Sequence, residues 1–262
     1  MSERLYSSKL ARMPTRQAGF TLVELMVVIA ITLFVTAGLI GLILNMRTTF
    51  TSQDQLAQVQ DSERLVVTMI TTTVQSAGYF IAYDSTTKTS YTLADALPAS
   101  LSANPDGTNF TAGQIISGTD GTNGTNGTVN VRYQTASGDG LMNCQGSSNP
   151  ATSGASTIWV NSFAVNANNE LTCAVNGGAA IPLVSNVARM TILYGVDIDS
   201  DGSVDTYLNA TAISAASLWG NVKTAQFTLS FVNLMNSKPG AIIILPQPWI
   251  QTISLMNAIG NI

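Results

Sequence analysis

Twenty consecutive residues without a formal charge, Leu25 to Leu44, lie near the start of this 262-residue chain and constrain it more than any other stretch. At about 1.5 Å rise per helical residue, such a run reaches across the ~30 Å hydrocarbon core of a bilayer. Its flanks are as restrictive. Arg4, Lys9, Arg12 and Arg16 come before it, Gly19 stands at its mouth, and Glu24 sits at its edge. A secretory signal peptide has its small-residue cleavage site after the apolar part, which is then discarded. Here the order is inverted, so a cut after Gly19 removes the basic leader and keeps the apolar helix. The basic residues hold the leader in the cytoplasm and send the rest of the chain outward.

GFTLVELMVVIAI, Gly19 to Ile31, resembles the processing signal of type IV pilins and type II secretion pseudopilins. The resemblance implies cleavage by a prepilin peptidase between Gly19 and Phe20, N-methylation of Phe20, and a role for Glu24 in assembly. There Glu24 pairs with the free amine of Phe20 in a neighbouring subunit as helices stagger into a filament. An ionised side chain deep in a membrane costs about 2.5 to 3.5 kcal/mol on insertion scales, which is why such groups have a partner or a function. The alternative for Glu24 is a side chain that snorkels to the interface. Met13 is a second candidate start, giving the short leader MPTRQAG.

Helical spacing continues beyond the apolar run. Leu56, Val59, Val66, Ile70, Val74 and Ala77 recur at helical intervals, whereas Gln53, Asp54, Gln58, Asp61, Glu63 and Arg64 fall mostly elsewhere. The spacing predicts a helix to Ala77 with Gly78 as its stop. From Phe20 to Ala77 this helix measures about 85 Å, more than one globular domain needs. Filament assembly explains the excess. Gly38 and Gly41 lie within the apolar part and read as close-packing positions between helices; a weak point where the helix loosens during packing is the alternative. LAQVQDSERLVVTMITTTVQSAGYF, Leu56 to Phe80, resembles the segment that follows the anchor in PilW-like minor pilins.

From residue 81 the period changes. Thr157–Val165, Leu171–Val175, Arg189–Val196, Val204–Leu208 and Val222–Val232 are short, rich in β-branched and aromatic residues, and separated by Asn, Gly and Asp. They predict an antiparallel β head. The Gly/Thr/Asn-rich run SGTDGTNGTNGT, residues 117–128, reads as a loop. The predicted organisation is a leader over 1–19, a transmembrane helix over 20–44, an extracytoplasmic amphipathic helix over 45–80 and a β-rich head over 81–262. The fold class is α+β and pilin-like, with a long N-terminal helix packed on an antiparallel sheet.

Composition narrows the function. There is no histidine, which removes every Ser/His or Cys/His nucleophile and every His-ligated metal site. No catalytic residue is assigned, and the chain is not read as an enzyme. The leader carries four of the 11 basic residues and one of the 15 acidic ones, so residues 20–262 hold seven against 14 and a net charge of −7. That balance gives no nucleic-acid footprint. Cys144 and Cys173 lie on the outer side of the membrane, where disulfides persist, and are expected to pair; two buried thiols are the alternative. Trp159, Trp219 and Trp249 share no spacing and read as core or sheet-packing residues.

YGVDIDSDGSVDTY, Tyr194 to Tyr207, places Asp197, Asp199 and Asp201 on alternate residues, followed by Gly202, Ser203 and Asp205. Carboxylates at this spacing fold around one hard cation, with a glycine at the sharp turn and a backbone carbonyl near Ser203 adding an oxygen. The first, third, fifth, sixth and ninth places of an EF-hand loop are filled, and Leu208 stands at the twelfth instead of glutamate. Calcium is the expected ion. A solvated hairpin turn at Asp201 and Gly202 is the alternative. A similar loop occurs in the heads of PilW-like proteins.

The resemblance as a whole implies a minor pilin of the PilW-like family that takes part in type IV pilus assembly or initiation near the tip. Its expected partners are other pilins and minor pilins, a prepilin peptidase and the inner-membrane assembly platform. It would sit in a bacterial inner membrane by a single span, with its head in the periplasm, and in the pilus at the cell surface. A minor pseudopilin of type II secretion is the nearest rival. A membrane-tethered adhesin or binding domain that never polymerises is the second. The C-terminal LMNAIGNI departs from the family in lacking a basic residue.

Overall fold

The helix that the sequence predicts is one unbroken element, α1 (Leu22–Gln75), of 54 residues. The structure, a computed structural model, describes residues 19–84, 88–100, 104–121, 126–235 and 241–258. The basic leader to residue 18 with Met13, the middle of the Gly/Thr/Asn run, and the last four residues of LMNAIGNI lie outside them. The chain divides into two units, Met1–Ser52 and Gln53–Ile262.

In the first unit, the Glu24 N–H donates to Thr21 Oγ1 at 3.3 Å, which caps the start of α1. Every described side chain from Gly19 to Asp54 is exposed. The hydroxyls inside the apolar run are satisfied by the helix itself: Thr32 donates to the Val28 carbonyl at 2.7 Å and Thr36 to the Thr32 carbonyl at 2.6 Å. A polar side chain that bonds back to its own helix is tolerated in lipid. Among the described residues, α1 is the helix long and apolar enough to cross a membrane.

In the second unit the rest of α1 buries Val59, Val66, Ile70, Thr73 and Val74, and Ala77 follows in the turn. Apart from Thr73, which the helical spacing does not select, these are the positions that it does select, with one correction. Leu56 is 48% exposed, because the buried stripe begins one turn later, at Val59. The helix stops where a left-handed residue is needed: Gly78 has φ 77°, and its N–H donates to the Arg132 carbonyl at 2.9 Å.

Two antiparallel sheets build the head. The first orders β3 (Ile116–Thr119), β4 (Thr128–Thr135), β5 (Thr157–Val165), β6 (Glu170–Val175) and β7 (Ile181–Ser185) as consecutive neighbours. The second orders β11 (Trp249–Ser254), β10 (Val222–Phe231), β8 (Val187–Val196) and β9 (Thr206–Leu208). A short ribbon, β1 (Tyr83–Asp84) with β2 (Thr89–Ser90), and two short helices, α2 (Leu93–Ala96) and α3 (Ala210–Ala216), complete it. One apolar cluster joins Val66, Ile70 and Val74 of α1 to Val131, Phe163 and Leu171 of the first sheet and to Ile192, Phe227 and Phe231 of the second. The fold is therefore α+β with an antiparallel β head, as the sequence predicts.

Five of the strands follow the sequence closely, β5 to the residue. The end residues Ser117, Thr119 and Thr128 of the Gly/Thr/Asn run are not loop but strand, because β3 and β4 pair there with Thr119 opposite Thr128. The outer face of β4 is the larger surprise. Thr128, Asn130 and Arg132 alternate with the core residues Val129, Val131 and Tyr133, and so point away from the core. Yet Asn130 and Arg132 are buried. Residues 93–100 and 104–114 lie over them, held by Arg132 and by Asp106, and bury their own Leu97 and Phe110 there.

Candidate functional site

Three places carry the chemistry that the sequence singles out. The first is the start of the stem. Gly19 and Phe20 precede α1 and are exposed, Phe20 to 81%. Glu24 lies in the first helical turn and is exposed as well. Among the described residues, a Cβ built on Gly38 or Gly41 would meet nothing within 4 Å.

The second is the disulfide. Cys144 and Cys173 are bonded, with their Cα atoms 6.3 Å apart and a separation of 29 positions in sequence. Cys173 is on β6 and Cys144 precedes β5, where the Asn161 side chain accepts a bond from the Cys144 N–H at 2.8 Å. Both cysteines are buried. The bridge closes a ring that contains all of β5.

The third is the acidic loop between β8 and β9. Its ends are pinned by the strands: the Asp197 N–H donates to the Asn221 carbonyl at 3.0 Å, and the Asp205 N–H to the Val196 carbonyl at 3.0 Å. Inside the loop, carboxylates accept backbone N–H groups in sequence. Asp197 Oδ2 accepts Gly202 at 3.0 Å, Asp199 Oδ1 accepts Asp201 at 3.2 Å, Asp201 Oδ1 accepts Ser203 at 2.7 Å, and Asp205 Oδ2 accepts Ile198 at 2.7 Å. The alternate spacing and the left-handed Ser200 and Gly202, φ 64° and 93°, allow this tight winding.

The winding brings one oxygen each of Asp197, Asp199 and Asp205 within 4.8 Å of one another, a group that could hold a metal ion. Asp201 is not among the three; its carboxylate is engaged by the Ser203 N–H. Asp199 and Asp205 are exposed, but Asp197 is only 1% exposed, and its Oδ1 has no hydrogen-bond partner. A buried carboxylate oxygen without a partner is costly, and a bound cation is one group that would relieve it. Three carboxylates at one point fit a hard, oxygen-liking ion.

Beside the loop opens a cleft of about 470 Å³, lined by Asp197, Gly202, Trp219, Lys223 and Asn257 among others. Lys223 and Asn257 escape sequence reading. Lys223 reaches the loop from β10, Asn257 lines the cleft from the turn at residues 256–258, and no local spacing connects either to the loop. Trp219 stands edge-on to Tyr194, with ring centroids 4.9 Å apart, which is the packing role expected of it.

Comparison with known proteins gives two matches. Residues 14–40 match the family model of the prokaryotic N-terminal methylation motif, and residues 151–238 match that of type IV pilus-assembly protein W. The second match spans β5 to β10, including the acidic loop. No curated protein and no solved structure matches the chain. Both matching families are structural rather than enzymatic, and both concern type IV pili or the motif of their subunits.

Proposed function

We propose that this chain is a minor pilin that takes part in assembling or initiating a type IV pilus, near its tip, after prepilin peptidase removes the leader. The cut falls between Gly19 and Phe20, and Phe20 becomes the methylated N-terminus. The apolar half of α1 anchors the subunit in the inner membrane with the head in the periplasm, and the same helix packs among other pilins once the assembly platform extracts it. One observation carries the reading: a stem exposed along its whole apolar length, with Glu24 in its first turn, joined in one chain to a head that matches pilus-assembly protein W.

Glu24 then does a defined job. In a neighbouring subunit the amine of Phe20 is the one cation at matching depth, and pairing neutralises both charges in low dielectric. Glu24→Ala removes the partner and is expected to abolish incorporation into filaments while leaving membrane insertion intact. Glu24→Ala chains appearing in sheared pili at wild-type amounts would reject the assembly role and favour a tethered, non-polymerising protein. Mass spectrometry of the purified subunit checks the processing, with N-methylphenylalanine as the expected first residue. The match to pilus-assembly protein W favours a pilus over a secretion pseudopilus. Loss of piliation with normal protein secretion on gene deletion is the corresponding outcome.

The head also binds calcium in this reading. Asp197, Asp199 and Asp205 supply carboxylate oxygens, with Asp201 and the backbone near Ser203 completing the loop. The affinity expected of an extracellular module is about 10⁻⁴ to 10⁻³ M. The ion would fix the β8–β9 connection against the head and offset the repulsion among four carboxylates. Thermal unfolding of the detergent-solubilised chain should occur at higher temperature in calcium than in chelator. With Asp199→Asn and Asp201→Asn combined, that difference should vanish.

A further inference from the structure

We propose that Lys223 is a built-in competitor for the cation of the acidic loop, so that binding of the ion and docking of the C-terminal turn oppose each other. The inference rests on the calcium reading above and concerns how that site is set. Lys223 Nζ lies 3.6 Å from Asp197 Oδ2, with its side chain 21% exposed against 2% for Asp197. Nζ also donates to the Ala258 carbonyl at 2.9 Å. The two oxygens of Asp197 therefore have distinct surroundings: Oδ2 faces Lys223 and the Gly202 N–H, and Oδ1 is buried without a partner.

An ammonium and a divalent ion drawn to one carboxylate repel each other, and the repulsion is strong where water is scarce. Lys223 offsets the loop's negative charge when no ion is present and weakens the site for an ion that arrives. The ammonium is also a structural tie. Residues 255–258 are held to β10 by Lys223 Nζ and by the Leu255 N–H, which donates to the Lys223 carbonyl at 2.9 Å. They are held to the end of α1 by Asn257, whose Nδ2 donates to the Ala77 carbonyl at 3.1 Å. An ion in the loop pushes Lys223 away from Asp197 and disturbs its grip on Ala258. Linkage makes the effect reciprocal: whatever fastens the turn weakens ion binding by the same factor.

The test is calorimetric titration of calcium into the full chain in detergent, as wild type, Lys223→Gln and Lys223→Arg. Lys223→Gln is expected to bind calcium about tenfold more tightly, and Lys223→Arg close to wild type, since it keeps the charge. Calcium binding to wild type and Lys223→Gln with equal affinity overturns the competition and leaves the site standing. No binding to either overturns the calcium reading itself. Hydrogen exchange on the unmutated chain frees the test from how the variants fold. Saturating calcium should lower the protection of the amides of Leu255 and Ala258, and unchanged protection rejects the coupling.

Discussion

Arg132 is buried without a carboxylate. Its Nε donates to the Gln114 carbonyl at 2.6 Å, Nη1 to Pro98 at 2.5 Å, and Nη2 to Leu97 at 3.1 Å and Thr111 at 2.6 Å, while the guanidinium stacks 4.6 Å from the Phe110 ring centre. Burial lowers its pKa to about 10. A planar fork with five donors satisfies four carbonyls at once, and a lysine cannot do so. Arg132→Lys should therefore cost about 2 to 4 kcal/mol in chemical denaturation, through carbonyls left unpaired. Asp106 pins the same segment. Burial pushes its carboxyl up, but bonds from Thr128, Thr108 and Asn130 outweigh that and hold it below the usual carboxylate range. A folded-state pKa below the unfolded one gives stability that is complete above about pH 4 and is lost as the pH falls through the folded value. Asp106→Asn should flatten the acid limb of a stability-versus-pH curve. Tyr194 points the other way: its hydroxyl is buried and unpartnered, so Tyr194→Phe should leave stability unchanged or raise it.

At the scale of elements, the stem's outer part holds the head by four apolar residues in a row, Val59, Val66, Ile70 and Val74. Ile70→Ala should destabilise the head by about 2 to 5 kcal/mol, read from the unfolding midpoint. The row was legible because helical period and burial coincide there. β5, β6, β8, β9 and β10 were legible for the same kind of reason, since β-branched and aromatic residues alternate between turn residues. β3 and β4 were not, because their outward side chains are polar and buried together under residues 93–100 and 104–114, a long-range event that no local pattern encodes. β7 carries Pro182 and β11 follows Pro246 and Pro248, signals that argue against a strand. The acidic loop could be read because its spacing is local. Lys223, on a neighbouring strand, could not.

The whole molecule divides its labour along the chain. The described stem presents exposed apolar side chains, whereas the head closes both of its sheets on one core and ties it with a single covalent bridge. Removing that bridge by Cys144→Ser with Cys173→Ser should cost about 2 to 4 kcal/mol, measured by denaturation of oxidised wild type against the variant. The ring that the bridge closes also includes the exposed stretch from Ala151 to Ser156. A protease that severs the chain there leaves both fragments fastened to each other, so the clipped chain stays one covalent body until a reductant parts the halves.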